Sequence, residues 1–380
     1  MNKVGYILIL LQLLLSANIR FEKENRMVFN GTFRPDKIKI ISKVPLSFLD
    51  SIPDDTLSVY YSYVNLPVAF SRNFHTSVCM DTMCRLVDIA LFWDVTGKYL
   101  GFSLPQGEEL TKKKHTPFEE KDYARLDEIL GDSTSLLGFY TLSDIHPVRQ
   151  SVAQADGTTG ATLPDLSPWI IKDAAYTSYT LWHLAYGATR DSLLVYIKQH
   201  LLSNQLLFSI LQDKNPFSEI RGLQWIGASN QDPGQFIEPA LTILHNGNFL
   251  ASRQALKFLK GCHIDKDRLQ KEVIQLLDNQ DFRIKNLALE YIRESDKLSQ
   301  SVGRELLSRL KSDNYYLVNV ILTILATRFE ADHSDQLNLS VLLASKNINI
   351  SNRIYYFLLS LPDKSSDIAR KLNQYRRKML

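Results

Sequence analysis

The chain has 380 residues, of which 45% are hydrophobic and 22% are charged, so it has the composition of a folded protein long enough for two domains. Its 44 basic and 41 acidic residues leave a formal net charge of +3, and no basic stripe is interleaved with aromatic residues. The sequence therefore lacks an electrostatic footprint for nucleic acid, and we expect no nucleic-acid partner.

Residues 1–20 have the layout of a secretory signal peptide. Lys3 supplies a positive charge, Ile7 to Leu15 is an apolar run broken only by Gln12, and the small residues Ser16 and Ala17 follow. The run is shorter than the about 20 residues that a membrane-spanning helix needs. We therefore expect export to the periplasm or the cell envelope. An uncleaved N-terminal anchor is the alternative to a cleaved signal.

Residues 21–64 form an N-terminal segment. β-Structure is predicted from residue 57 to residue 104, so its first strand begins within that segment. Leu57 to Tyr63 alternates in polarity and is rich in tyrosine and valine. Leu86 to Trp93 and Lys98 to Leu104 flank a turn that ends at Gly97. A tight turn favours the positive φ that glycine adopts, so these two runs predict a β-hairpin.

Cys79 and Cys84 are five positions apart and can close a small loop as a disulfide in an oxidising compartment. Two free thiols are the alternative. A metal site would need more ligands than His75, the only other soft ligand nearby, so we expect no metal. Cys262 lies next to His263 at a predicted helix end, and we expect it to have no functional role.

Two helices are predicted around the middle of the chain. Thr116 as N-cap, Pro117 at the first position and Glu119 in a capping box begin the first helix, which ends at Gly131. Ser167 as N-cap and Pro168 at the first position begin the second, which continues to Tyr186 and ends at Gly187.

Between these helices lies the motif Asp156-Gly157-Thr158-Thr159-Gly160-Ala161-Thr162. It resembles the flavinylation motif of the FMN-binding domain family, Asp-x-x-Ser/Thr-Gly-Ala-Thr, and matches all five fixed positions. The resemblance covers about residues 65–187. In that family a dedicated flavin transferase uses FAD to attach FMN to the last threonine through a phosphoester. The resemblance thus implies an FMN-binding-like domain that carries covalent FMN on Thr162.

The residue types of the motif suit this chemistry. A phosphoester needs a hydroxyl, which Thr162 supplies, and the small Gly160 and Ala161 leave it accessible and let backbone N–H groups turn toward a phosphate. Asp156 either orients the loop or helps the transferase to activate the hydroxyl.

Three further residues have two interpretations each. His115, after three lysines, either contacts flavin N1 or the phosphate, or is a surface histidine near a helix cap. Trp182 and His183 either stack near the isoalloxazine or belong to the core.

From about residue 190 to residue 380 the pattern is helical and repeats. Four stretches begin at Phe217, Phe249, Phe282 and Tyr315, which are 32, 33 and 33 residues apart. Apolar residues recur six, nine and ten places after the rings, although the first unit has Gly227 at the tenth place, and partner helices lie between the stretches. A looser fifth unit begins near Ile350. We expect the opening rings to pack in the core.

A period near 33 with two helices per unit resembles HEAT-type repeats. The predicted fold class is therefore an α+β FMN-binding-like domain followed by an all-α HEAT-like solenoid. No Gly-x-Ser-x-Gly, Walker loop or dinucleotide fingerprint occurs. We expect an exported electron-transfer protein rather than a substrate-turning enzyme. Its expected partners are a flavin transferase and a redox protein or membrane redox complex. A non-redox scaffold that binds proteins through its helical repeats is the alternative.

Overall fold

A six-stranded antiparallel sheet begins the fold, with the strands in the order β1-β6-β5-β4-β3-β2. In the computed structural model, the described residues are 25–29, 33–38, 40–46, 56–78, 86–145, 166–311 and 314–379. They form two compact units that divide between Leu206 and Leu207. The strands are β1 Arg26–Phe29, β2 Ile40–Pro45, β3 Thr56–Tyr61, β4 Pro67–Thr76, β5 Val87–Asp94 and β6 Tyr99–Leu104.

The predicted hairpin joins β5 to β6 and is confirmed. Gly97 has a φ of 75°, the left-handed conformation that glycine adopts without strain. The Asp94 carboxylate accepts hydrogen bonds from the backbone nitrogens of Thr96 at 2.7 Å and Lys98 at 2.9 Å, and so closes the turn. Burial nevertheless raises the pKa of Asp94 above its ordinary value, because these hydrogen bonds offset only part of the desolvation.

The two faces of the sheet are covered differently. On one face Trp93 is fully buried, and its indole Nε1 donates a 2.8 Å hydrogen bond to the carbonyl of Ala185 on a covering helix. Phe92 points to the opposite face, as successive strand residues do. There its ring meets those of Phe29, Phe33 and Tyr60. The helices of this unit are α1 Glu120–Gly131, α2 Leu142–Ile145, α3 Ala175–Tyr186 and α4 Ala188–Tyr196.

Helix α1 ends at Gly131, as predicted, but its predicted start is wrong. Its N-cap is Glu119, and the Asp122 side chain completes the capping box by accepting from the Glu119 backbone nitrogen at 2.8 Å. Thr116 and Pro117 stay outside the helix because Lys112 N donates to Thr116 O at 2.7 Å and Pro117 pairs with Thr111.

The predicted helix from Pro168 to Tyr186 is interrupted. Ser167–Trp169 is a short 3-10 turn, and helix α3 begins only at Ala175. Between them Asp173 has a positive φ of 63°, which an α-helix does not allow. Its carbonyl accepts a 2.7 Å hydrogen bond from Lys113 N, so this break holds two distant parts of the chain together. Helix α3 does end at Gly187, as expected.

The second unit consists of helices, which confirms an α+β region followed by a helical one. Its helices, including α5 across the boundary between the units, are α5 Asn204–Leu211, α6 Pro216–Gly227, α7 Ile237–Asn246, α8 Phe249–Gly261, α9 Lys266–Gln275, α10 Phe282–Glu294, α11 Gln300–Ser308, α12 Tyr315–Arg328, α13 His333–Val341, α14 Ile348–Ser360 and α15 Ser366–Met379.

Helices of the second unit pack on the equivalent helix of the next pair. The first helices α6, α8, α10, α12 and α14 contact one another in that order, and the second helices α9, α11, α13 and α15 do the same. The apolar positions six, nine and ten places along the first helices α8 and α12 are buried, for example Ala255, Phe258 and Leu259 in α8. The expectation that the opening rings also pack in the core is wrong for Phe282, which is 58% exposed, and for Tyr315.

Gly303 on α11 tests how closely these helices are packed. An alanine Cβ there would lie 2.0 Å from Cδ2 of the buried Phe329 ring. We expect Gly303→Ala to lower the free energy of unfolding by about 2 kcal/mol, because the overlap outweighs the gain in helix propensity of about 1 kcal/mol. Chemical denaturation measures this change.

Gly227, the last residue of α6, is the matched control, since an added Cβ there would meet no atom within 4 Å. Gly227→Ala should leave the second unit equally stable or slightly more stable. Equal effects of the two substitutions would contradict the close contact between α11 and Phe329.

Candidate functional site

Most residues of the predicted flavin site lie outside the described residues. These are Asp156, Gly157, Thr159, Gly160, Ala161 and Thr162, and the disulfide candidates Cys79 and Cys84 also lie outside them. His115 is described, and so are the residues on both sides of the motif segment, up to Ile145 and from Leu166 onward. The described part of the candidate site therefore consists of the surroundings of these two flanks.

The downstream flank is tied to helices α1 and α3. Arg125 on α1 donates to the carbonyl of Pro168 in the 3-10 turn and forms a 2.6 Å ion pair with Glu128. The backbone nitrogen of Ile171 donates to Ser178 Oγ on α3 at 3.0 Å, and both residues are buried. The chain that leaves the motif is thus fixed by its backbone to two helices of the first unit.

The upstream flank runs through the short helix α2, which contacts α3. The Asp144 carboxylate accepts hydrogen bonds from Thr141 N at 2.7 Å and Thr141 Oγ1 at 2.6 Å. These bonds lower the pKa of Asp144, which keeps the carboxylate ionised at the start of the helix. Just before α2, the ring of Phe139 is 83% exposed. Both described flanks of the motif segment therefore lie beside helix α3.

His115 lies in an exposed, strained turn, Lys113–His115. Lys114 and His115 have φ values of 61° and 56°, which residues other than glycine rarely adopt. The side chains of Lys113, Lys114 and His115 are exposed, as is that of Lys172, next to the Asp173 carbonyl that holds the turn. Several positive charges consequently lie on the surface that contains the downstream flank.

Lys112, which precedes this turn, has a largely buried side chain, unlike the exposed Lys113 and Lys114. Its ammonium forms a 2.7 Å ion pair with the Asp122 carboxylate, and both side chains are largely buried. Burial alone would raise the pKa of Asp122, but the hydrogen bonds from Lys112 and from the Glu119 backbone, with the Lys112 charge, outweigh it and lower the pKa. Asp122 therefore fixes both the start of α1 and the strand-like segment that leads to His115.

The aromatic side chains of α3 belong mainly to the core. Trp182 is buried, and its Nε1 donates a 2.9 Å hydrogen bond to the carbonyl of Asp132. The His183 ring lies between those of Tyr179, at 4.1 Å, and Trp182, at 5.2 Å. Burial lowers the pKa of His183, so the imidazole is kept neutral. These contacts favour the structural interpretation of Trp182 and His183 over a stacking role.

Within the described ranges, no cluster of three or more His, Cys, Asp or Glu side chains is arranged to hold a metal ion. Cys262 is a free cysteine. Burial raises the pKa of its thiol most, and the negative charge of Asp232 raises it further. The raised pKa disfavours the reactive thiolate.

Comparisons of the chain with protein-family models, with curated proteins and with solved structures found no match. Among the described residues, no helix is both long enough and apolar enough to span a membrane.

Two side chains that organise the flanks were missed by the sequence analysis. Arg125 is one of many charged residues on a predicted helix, and nothing in its spacing indicates a hydrogen bond to Pro168. Asp122 had a signal, because Glu119 and Asp122 have the spacing of a capping box. The competing Thr116-Pro117 signal, three residues earlier, took precedence.

Asp122→Asn should lower the free energy of unfolding of the first unit by about 2 kcal/mol at neutral pH, because it removes a capping carboxylate and the partner of Lys112. The lowered pKa means that the unfolded chain binds the proton more readily. The contribution of Asp122 is therefore present above its unfolded pKa and is lost as the pH falls through its folded pKa. Denaturant titrations between neutral and acidic pH measure both effects.

Glu128→Gln is the control, since it removes an exposed carboxylate on the same helix. It should change stability by less than about 1 kcal/mol. A parallel loss of stability with pH in the parent chain and in Asp122→Asn would contradict the assignment.

Proposed function

We propose that this protein is an exported flavoprotein that carries FMN on Thr162 through a phosphoester and transfers electrons outside the cytoplasm. The observation that carries the proposal is the sequence Asp156 to Thr162, which agrees with the flavinylation motif at all five fixed positions. Chain organisation supports it, because a sheet and helix α1 precede the motif and α3 follows it.

Attachment follows from the chemistry of the hydroxyl. Thr162 Oγ1 forms a bond to the FMN phosphorus of FAD, the pyrophosphate bond breaks, and AMP leaves. The hydroxyl proton passes to a base of the flavin transferase or to Asp156. The small side chains of Gly160 and Ala161 suit access of the bulky donor and the transferase to this oxygen.

The described residues near the downstream flank suit an anionic phosphodiester. Lys113, Lys114 and His115 are exposed on the turn that is bonded to Asp173, and Lys172 is adjacent to it. Each exposed cation contributes on the order of 1 kcal/mol or less to holding an anion, and salt screens the interaction. His115 is in this proposal a neighbour of these lysines on the exposed turn rather than a general acid or base.

A covalently bound flavin supplies one- and two-electron redox chemistry while the protein controls its surroundings. The tether suits an exported protein, because a cofactor lost outside the cytoplasm is not replaced there. Phe139 offers an exposed apolar ring at the upstream flank, against which a planar ring system can pack. The proposed partners are the transferase during maturation and a redox protein or membrane redox complex afterwards.

The two units have corresponding roles in the proposal. The first is an FMN-binding-like domain, and the second is a HEAT-like solenoid that docks a partner. The successive contacts between equivalent helices of the second unit support the solenoid, because a helix pair that buries its apolar face on the next pair can extend into a stack.

The proposal predicts one modification at one oxygen. When the full chain is co-expressed with a flavin transferase and exported, we expect its intact mass to increase by that of FMN less one water. The denatured band should fluoresce under ultraviolet light. Thr162→Ala should lose both signals completely, because no hydroxyl remains to form the ester.

Thr158→Ala is the matched control, since it removes a neighbouring hydroxyl at a position that the motif leaves variable. It should keep the added mass and the fluorescence. A parent chain without added mass, despite an active transferase, would refute the electron carrier and favour the non-redox scaffold.

A further inference from the structure

Exposed apolar side chains of the second unit are concentrated on the first helices of the pairs. Seven large ones lie there and are at least 43% exposed, namely Leu250, Phe282, Tyr315, Tyr316, Ile348, Tyr356 and Leu359. Single exposed apolar residues are normal on protein surfaces, whereas a continuous group of them indicates an interaction site.

Side-chain contacts connect three neighbouring first helices. The guanidinium of Arg283 on α10 lies 5.2 Å from the centre of the Phe249 ring on α8, and Arg253 lies 5.8 Å from the same ring. The ring of Phe282 on α10 lies 6.3 Å from that of Tyr316 on α12. We call Phe249, Phe282 and Tyr316, with Arg253 and Arg283, the aromatic row.

Helical geometry places the aromatic row and Lys257 on one face. Counted from the opening ring, the row occupies positions zero, one and four of its helices, and Lys257 on α8 occupies position eight. At about 100° per residue these positions fall within about 100° of one another. The buried positions six, nine and ten are centred more than about 120° away from each of them. The row therefore faces away from the core, as the exposure of Phe282 and Tyr316 also indicates.

The first helices carry a net positive charge. The first helices α6, α8, α10, α12 and α14 carry nine basic and three acidic residues, and the second helices α7, α9, α11, α13 and α15 carry nine basic and six acidic ones. Of those three acids, Glu219 is buried and Glu294 pairs with Lys260. The third, Glu290, is exposed on α10. Electrostatic complementarity thus favours an acidic partner on the first helices.

Two cations of this face, Arg253 in the aromatic row and Lys257 one turn further along α8, lack a counter-charge from the described residues. Arg283 is neutralised by Asp281, at 2.6 Å. Among the described residues, neither Arg253 nor Lys257 has a carboxylate within ion-pair distance. They are one helical turn apart on α8, so a carboxylate of a partner can bridge them while its neighbours contact the rings.

We propose that the aromatic row binds a segment of another protein in which acidic residues alternate with apolar ones. Carboxylates of the segment pair with Arg253 and Lys257, and its apolar side chains cover Phe282 and Tyr316. Two unpaired cations beside three rings match a few carboxylates better than the many phosphates of a nucleic acid, which would need a longer run of free cations. This surface is independent of Thr162 and goes beyond the proposed flavin attachment.

The size of the surface defines a suitable probe. Helices pack about 9 Å apart, so the row spans about 18 Å from α8 to α12. An extended chain advances about 3.3 Å per residue, and about six residues therefore cover it. A labelled peptide of about 12 residues, with glutamate alternating with leucine and phenylalanine, covers the row with residues to spare at both ends.

The full chain should bind this peptide saturably, more weakly as salt is added. We expect Arg253→Glu with Lys257→Glu, and separately Phe282→Ala with Tyr316→Ala, to weaken binding about tenfold or more. Lys266→Glu with Lys271→Glu makes the same charge change on α9, a second helix, and should leave the affinity within about twofold. Fluorescence anisotropy measures all of these affinities.

Peptide variants test the same surface without altering the protein. Replacing every apolar residue of the peptide with serine, or every glutamate with lysine, should abolish binding to the parent chain. Dissociation constants above about 1 mM for the original peptide would overturn the proposal. So would equal losses in the α8 and α9 charge variants, or row-dependent binding of RNA or anionic vesicles instead of the peptide.

Discussion

The position of helix α3 is the constraint on which the first unit depends. Three of its residues make hydrogen bonds to distant parts of the unit: Ala185 O accepts from Trp93, Trp182 donates to Asp132 O, and Thr177 Oγ1 donates to Val78 O at 2.9 Å. A buried polar group left without its partner costs about 1–3 kcal/mol. Movement of α3 would break several of these bonds together, so the chain on both sides of the motif segment is fixed to a rigid support.

Local signals predicted much of this unit because each residue involved acts on its own neighbours. Gly97 closes the β5–β6 hairpin through its own φ, and Gly187 ends α3 as expected. Local signals failed where two of them competed. Thr116 with Pro117 and Glu119 with Asp122 are both signals for the start of a helix, and the pairing of Pro117 with Thr111 leaves only the second in use. That pairing is a short antiparallel bridge between residues six positions apart, and neither helix-start signal indicates it.

Local sequence signals predicted even less of the structure around the candidate site. The motif was recognised from the order of Asp156 to Thr162, which requires no structure. The hydrogen bonds that organise its downstream flank, Lys113 N to Asp173 O and Arg125 to Pro168 O, join residues that are far apart in sequence. Backbone groups make them on one or both sides, so the residue types carry no information about them. His115 was named for its chemistry, yet its place on the surface follows from the first of these bonds.

The opening rings of the repeats show how a correct period can give a wrong burial. The spacing of 33 residues placed the helices, and the buried positions six, nine and ten follow from it. The rings occupy position zero, more than about 120° from the centre of that buried stripe on a helix. The helical phase of Phe282, which can be calculated from the sequence, therefore predicts an exposed ring. The prediction of a buried ring was wrong because every recurrent apolar position was assigned to the core. Recurrence alone shows that a position is constrained, and the helical phase decides whether the constraint is packing or recognition.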